Sequence, residues 1–222
     1  MKQHKRFFIC CGAVMFLSEI WKQWTLTFYI NNGQYIWWYF PFQLCSIPMY
    51  VCLLLGVVHS EKIQWILISF LMDFGLLAGI FTFFDTSGMH YIYLPLTIHS
   101  YAWHVLLIII GIWSGTAYEN VYGYKHSHSH SLLPQDFLDC SCVYLACVLL
   151  ATGCNLAFFQ YGAINMFYIN PYLPMSQKVF GTIADTFGNR TGIIVYILST
   201  IFGAWLLHQM WIKLSKLTNN LQ

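Results

Sequence analysis

A cysteine and a histidine in two apolar stretches of this sequence have the side chains of a nucleophile and its base. Cys45 lies in the uncharged stretch 36–58, close to the polar Gln43, and His104 lies in the stretch 91–116. A thiol beside an imidazole that accepts its proton is the arrangement that thiolate chemistry requires. We therefore expect Cys45 and His104 to meet inside a membrane and to handle an acyl group there.

Both residues also have ordinary interpretations. Most buried cysteines are inert small hydrophobes, and a histidine in the middle of a span is often a packing residue. His99 lies five residues before His104, about 140° away around a helix, so we expect only the deeper His104 to face the pocket. The residue types thus support a Cys–His pair and leave inert packing as the alternative.

Two carboxylates lie at a similar depth in further apolar stretches. At about 1.5 Å per residue, Glu19 and Asp73 fall in the same middle layer of a core ~30 Å thick as Cys45 and His104. Ionisable groups at this depth are costly and are therefore functional candidates. Lys22, three residues after Glu19, predicts an ion pair that braces the bundle or supports a polar cavity. Asp73 is expected to bond between helices, to orient a histidine or to carry a proton.

The amino-acid composition indicates that these groups lie in a membrane protein. The chain is 58% hydrophobic and only 8% charged, whereas soluble domains are about 25% charged. Aromatic residues make up 19% of the chain, which suits two interfacial belts. The basic residues are scattered and the net charge is +2, so nucleic acid is not an expected partner. We predict an all-α, polytopic transmembrane helix bundle that forms a single domain over residues 1–222.

Six apolar stretches predict six spans. They cover residues 7–30, 36–58, 63–84, 91–116, 135–159 and 191–212. A region near 160–190 is apolar but broken by Asn170-Pro171 and Pro174, which predicts an irregular or re-entrant segment. With six spans, one side holds seven basic residues in its ends and loops (Lys2, Lys5, Arg6, Lys62, Lys125, Lys213 and Lys216) and the other holds two (Lys178 and Arg190). The positive-inside rule then predicts that both termini are cytoplasmic.

The sequence gives little reason to expect a metal or a cofactor. Most of its eight cysteines stand in apolar runs, and none forms a CxxC pair. His126, His128 and His130 alternate with serines in a polar loop. Alternate histidines in an extended loop are able to chelate a metal, but a solvated loop is the simpler interpretation. We predict no cofactor and no metal site in the membrane.

Three segments of the chain resemble the TMEM164/YwaF-type family of integral membrane proteins. They are PFQLCSI around Cys45, the segment at 75–113, which includes parts of two predicted spans, and NMFYINP at 165–171. The family includes a largely uncharacterised bacterial branch, which implies a bacterial plasma-membrane protein. The animal branch is similar in fold to the androgen-induced intramembrane hydrolases and is described as a phospholipid acyltransferase with a cysteine nucleophile. The resemblance implies that Cys45 is this nucleophile and that His104 is its partner.

The chain departs from the family pattern in two places. The residue after the family cysteine is often Asp or Asn, whereas Ser46 stands here. Members are commonly drawn with seven spans, whereas the apolar stretches of this chain predict six and an irregular region. The first departure concerns the chemistry at Cys45, and the second concerns how the irregular region is counted.

An enzyme is the first functional hypothesis. Cys45, activated by His104, takes an acyl chain from a lipid as a thioester and passes it to a hydroxyl, an amine or water. Asp73 or Glu19 orients or charge-balances the histidine, and Asn165 lines the pocket or steadies the acyl carbonyl. The expected partner is a lipid or another apolar small molecule held between helices, and a protein partner is left open.

Two alternatives belong to other classes. A transporter or permease-like protein would use Glu19, Lys22, Asp73 and His104 as an intramembrane polar path. A scaffold subunit would use the same groups only to lock helix packing. The enzyme hypothesis fails if Cys45 and His104 lie on opposite faces with no cavity between them.

Overall fold

The computed structural model describes residues 2–118 and 134–219, which form helices and loops and contain no strand. The α-helices are α1 (Lys2–Trp24), α2 (Ile47–Val57), α3 (Glu61–Phe70), α4 (Leu76–Phe81), α5 (Leu94–Tyr118), α6 (Pro134–Phe158), α7 (Lys178–Phe187) and α8 (Asn189–Asn219). A π-helical turn, Thr25–Ile30, continues α1, and a second one, Leu71–Gly75, joins α3 to α4. The all-helical architecture is confirmed. The histidines at 126, 128 and 130 lie outside the described residues.

Four helices of the described chain are long and apolar enough to cross a membrane. They are Glu61–Phe81, Leu94–Tyr118, Gln135–Tyr161 and Asn189–Ser215, and they coincide with four of the six predicted spans. The helix α1 is not among them, although it has 23 residues. The membrane-spanning character is therefore supported by four helices.

The predicted span at 36–58 is wrong as a continuous helix. Its helical part, α2, has 11 residues and is about 17 Å long, too short for a core of ~30 Å. The residues before it form a single 3-10 turn, Trp37–Tyr39, and irregular backbone. Pro41 lacks a backbone N–H and disfavours helix in the residue before it, which explains the break.

Side chains from other parts of the chain satisfy the backbone of this irregular segment. The Tyr50 hydroxyl donates to the carbonyl of Pro41 at 3.0 Å, and Gln23 Nε2 donates to the carbonyl of Tyr39 at 2.6 Å. Irregular backbone is tolerated at membrane depth only where protein or a water-filled cavity surrounds it. These hydrogen bonds therefore allow the segment to replace a helix inside the bundle.

The second irregular segment lies between α6 and α7, where the sequence predicts one. Buried Asn155 fixes it, because its Nδ2 donates to the carbonyl of Met166 at 3.0 Å and its Oδ1 accepts from the N–H of Met166 at 2.8 Å. Phe167 and Tyr168 both have a φ of 57°, so the chain turns sharply there. Beyond this turn the predicted irregular region is in fact helical, since α7 occupies Lys178–Phe187.

Close approaches at glycine define how the helices run. Gly12 on α1 faces Cys52 on α2, and Gly56 faces Ile9, so these two helices are antiparallel. Gly111 on α5 packs directly on Leu76 of α4, as small residues allow at membrane helix interfaces. We call the end of the bundle where α1 begins the N-terminal face and the opposite end the far face. The helices α2, α5 and α8 begin at the far face, and α1 and α4 end there.

Candidate functional site

A cavity of about 460 Å³ lies in the half of the bundle next to the far face. It is lined by the end of α1, the irregular segment before α2, the end of α4, the first halves of α5 and α8, the first turn of α7, and the loops between them. The residues predicted from the sequence that line it are Lys22, Gln43, Cys45, His99 and His104. The structure thus brings the proposed nucleophile and base to one chamber.

Cys45 enters the cavity from the irregular segment, not from the middle of a helix. It directly precedes Ser46, the N-cap of α2. The indole N–H of Trp103 donates to the carbonyl of Cys45 at 3.0 Å. The thiol is half-buried and is not part of a disulfide. The proline break in 36–58 is therefore what places this thiol at the cavity wall.

His104 is held in one orientation by its own helix. Its Nδ1 lies 2.7 Å from the carbonyl of Ser100, one turn earlier on α5. Because a carbonyl only accepts, the proton is on Nδ1 and the lone pair is on Nε2. The residue is 7% exposed and lines the cavity. This arrangement leaves Nε2 as the nitrogen that is able to take a proton from a group in the cavity.

His99 also lines the cavity, contrary to the expectation that only one histidine would. The cavity extends over four positions of α5 (His99, Ser100, Trp103 and His104), which together cover a wide sector of the helix. The ring of His99 lies between Trp21 and Trp103, with both centroid distances at 5.6 Å. These aromatic contacts fix the ring of His99 beside the cavity.

Lys22 supplies a positive charge to the cavity. Its Nζ lies 2.9 Å from the carboxylate of Glu19, so the ion pair predicted from the spacing is confirmed. Glu19 is 4% exposed and also accepts from Gln23 Nε2 at 2.6 Å. Lys22 lines the same cavity as Cys45 and His104, and Glu19 offsets part of its charge. The cation is therefore placed to stabilise negative charge that develops near them.

Asp73 belongs to a different cluster. Its Oδ2 accepts from Nδ1 of His208 at 2.8 Å, and Sγ of Cys140 lies 3.7 Å from the same oxygen. All three side chains are fully buried, and none of them lines the cavity. Asp73 does orient a histidine, but that histidine is His208 on α8, not His104. Sequence reasoning missed His208, because it stands four residues before the end of the stretch 191–212 and so falls outside the middle layer that depth counting selects.

Asn165 is placed beneath the cavity wall and does not line it. Its Oδ1 accepts from the backbone N–H of Asn170 at 3.0 Å, and its backbone carbonyl accepts from Gln43 Nε2 at 2.8 Å. The residue is 2% exposed. Asn165 therefore joins the two irregular segments, which is a structural role different from the predicted contact with an acyl carbonyl.

Aromatic rings form about a third of the cavity wall, which the sequence did not reveal. The irregular segments and the helix starts contribute rings that are far apart in the chain. They include Trp38, Tyr39, Tyr91, Trp103, Tyr168 and Tyr196. Hydroxyl, amide, imidazole and charged side chains make up much of the remaining wall, so the cavity suits a ligand that has both an apolar and a polar part.

Replacing Trp103 with phenylalanine is expected to loosen Cys45. The change keeps an aromatic ring but removes the indole donor to the Cys45 carbonyl, which is worth about 1 kcal/mol at membrane depth. We expect a small loss of thermal stability and a several-fold change in the alkylation rate of Cys45. Trp205→Phe, at a half-exposed position on α8, is the control and should change neither; equal effects of the two variants would contradict this role.

No protein-family model, curated protein or solved structure matches this chain. Within residues 2–118 and 134–219, no three His, Cys, Asp or Glu side chains are grouped so that they could hold a metal ion. The candidate site is thus defined by Cys45, His104 and Lys22 around one chamber.

Proposed function

We propose that this protein transfers or hydrolyses the acyl group of a membrane lipid, with Cys45 as nucleophile and His104 as base. The observation that carries the proposal is that both side chains line one cavity of about 460 Å³. A cavity of this size falls in the usual range for small-molecule sites. The hydrogen bond from His104 to Ser100 leaves the basic nitrogen available, as a general base requires.

The first half of the reaction forms a thioester. Nε2 of His104 takes the proton of the Cys45 thiol, and the thiolate attacks the carbonyl carbon of the lipid ester. The tetrahedral intermediate collapses as its bond to the lipid oxygen breaks. The imidazolium returns the proton to that oxygen, which leaves as an alcohol. The acyl group is then bonded to Cys45.

The second half passes the acyl group on. His104 takes a proton from water, a hydroxyl or an amine, which attacks the thioester carbonyl. The carbon–sulfur bond breaks, and the imidazolium returns the proton to the Cys45 thiolate. Lys22 stabilises the negative charge that develops on the carbonyl oxygen in both halves. The aromatic wall holds the acyl chain and limits the access of water.

The sequence resemblance to the TMEM164/YwaF-type family supports the same assignment, since the family nucleophile falls on Cys45. Ser46 stands where the family often has an acidic or amide residue. Here Ser46 is the N-cap of α2 and lines the cavity. Ser46 therefore places a hydroxyl beside the nucleophile, whereas an acidic residue would place a charge there.

The transporter alternative receives less support from the geometry. Its path requires Asp73 to communicate with Lys22 and His104. Asp73 instead bonds to His208 outside the cavity lining. Asp73 therefore does not share the cavity with Lys22 and His104.

Trapping the acyl group on the protein tests the proposal. The protein in lipid nanodiscs is mixed with a long-chain p-nitrophenyl ester, and intact mass spectrometry follows the acyl adduct. We expect an adduct that hydroxylamine removes in the wild type, none in Cys45→Ala, and a normal adduct in Cys154→Ala, which alters another half-buried thiol. An adduct on Cys45→Ala equal to that of the wild type would refute Cys45 as nucleophile.

A further inference from the structure

The cavity lies at one end of the bundle only. Every helix that lines it contributes residues from its far-face end, such as Lys22 at the end of α1, Thr82 at the end of α4 and Thr200 in the first half of α8. The outermost lining residues, Ser87, Gly88 and Ser176, are exposed, whereas His104 at the inner end is buried. The cavity therefore has a mouth toward the far face.

The opposite end of the cavity is closed by packed side chains. On α2, the π-helical turn before α4, α5 and α8, a residue about one turn nearer the N-terminal face is almost or fully buried; these residues are Met49, Asp73, Leu107 and Ala204. The hydrogen bond between Asp73 and His208 ties α8 to the π-helical turn in this layer. The cluster that the proposed chemistry does not use thus forms part of the floor.

The distribution of basic residues indicates which face of the bundle is cytoplasmic. Lys5, Arg6, Lys62 and Lys213 lie at helix ends on the N-terminal face, whereas Lys178 and Arg190 lie on the far face; Lys22, deeper in the far half, is paired with Glu19. The excess of basic residues is typical of the cytoplasmic side. The mouth therefore faces away from the cytoplasm.

We propose that the cavity is loaded from the extracytoplasmic face, so that its acyl donor and acceptor are molecules of that leaflet or of the aqueous phase beyond it. The identification of an acyl donor and acceptor rests on the proposed function, whereas the direction of access rests on the geometry of the cavity and on the distribution of basic residues. A cytoplasmic acyl thioester has no route to Cys45, because the floor lies between them. The relevant lipid is one whose ester bond reaches about the depth of Lys22 from the extracytoplasmic surface.

Sided labelling of Cys45 tests the direction of access. The exposed Cys10 and Cys142 are replaced by serine, and right-side-out and inside-out vesicles are treated with a small, charged, membrane-impermeant methanethiosulfonate. We expect Cys45 to react at least about 10-fold faster in right-side-out vesicles. In the same background, the Cys45→Ala variant measures labelling at sites other than Cys45. The variant that carries both Cys45→Ala and Ser87→Cys measures the labelling rate of a thiol at the mouth.

Each other outcome overturns the proposal. Faster labelling in inside-out vesicles would place the mouth on the cytoplasmic side, and equal rates would mean that the floor is open. If Cys45 is labelled in detergent but in neither type of vesicle, the cavity is closed to both faces. The acyl-adduct experiment is independent of sidedness, so Cys45 labelled from outside without any acyl adduct would refute the enzyme and leave the direction of access standing.

Discussion

Replacing His104 with alanine is expected to lower the rate of acyl-adduct formation on Cys45 about 10³-fold, the middle of the range for removal of a general base. The thiol remains in the cavity, but it loses the imidazole whose Nε2 is available to take its proton. The measurement is the time course of the adduct with the long-chain p-nitrophenyl ester. Added imidazole should restore part of the rate, since the truncated side chain leaves room in the cavity.

His99 provides the matched control for this prediction. It is on the same helix and lines the same cavity, but its ring is held between Trp21 and Trp103. His99→Ala should lower the rate no more than about 10-fold, in keeping with a residue that shapes the wall and does not move the proton. A larger loss in His99→Ala than in His104→Ala would assign the base to His99.

Replacing Asp73 with alanine is expected to destabilise the bundle by about 2 kcal/mol, near the upper end for a hydrogen bond between membrane helices. The change removes the acceptor of the bond from Nδ1 of His208, and both side chains are fully buried. It also leaves a small void in the floor of the cavity. Thermal unfolding of the protein in detergent measures the effect.

Asp73→Asn separates the lost hydrogen bond from the lost volume. Asparagine keeps an oxygen that is able to accept from His208, so this variant should lose about half as much stability as Asp73→Ala. Asp185→Ala, at an exposed position of α7, should unfold like the wild type. If Asp73→Ala also unfolds like the wild type, Asp73 does not hold the floor together.

Hydropathy predicted the long helices and part of the site. The stretches that contain α5 and α8 are apolar over enough residues to cross a membrane, and depth counting placed Cys45 and His104 in one layer. Depth does not tell which way a side chain points, so the same counting placed Asp73 with them, whereas it faces His208. The direction in which a side chain points depends on the rotation of its helix, and packing against the neighbouring helices sets that rotation.

The broken span at 36–58 shows a second limit of hydropathy. Its side chains are as apolar as those of a membrane-spanning helix. Its backbone carbonyls, however, accept hydrogen bonds from side chains elsewhere, such as Tyr50 and Gln23. These bonds join residues whose pairing no local pattern reveals. The same reasoning applies to Asn155, whose amide holds the distant turn at Met166.

The π-helical turn Leu71–Gly75 has a consequence for how the two polar clusters coexist. A π-helix holds more residues per turn than an α-helix, so the helical phase shifts between α3 and α4. Asp73 within the turn faces His208, while Leu77, four residues later, lines the cavity. Removing a single residue from this turn would restore ordinary winding and rotate one half relative to the other, so that either the polar pair or the chamber wall would lose its alignment.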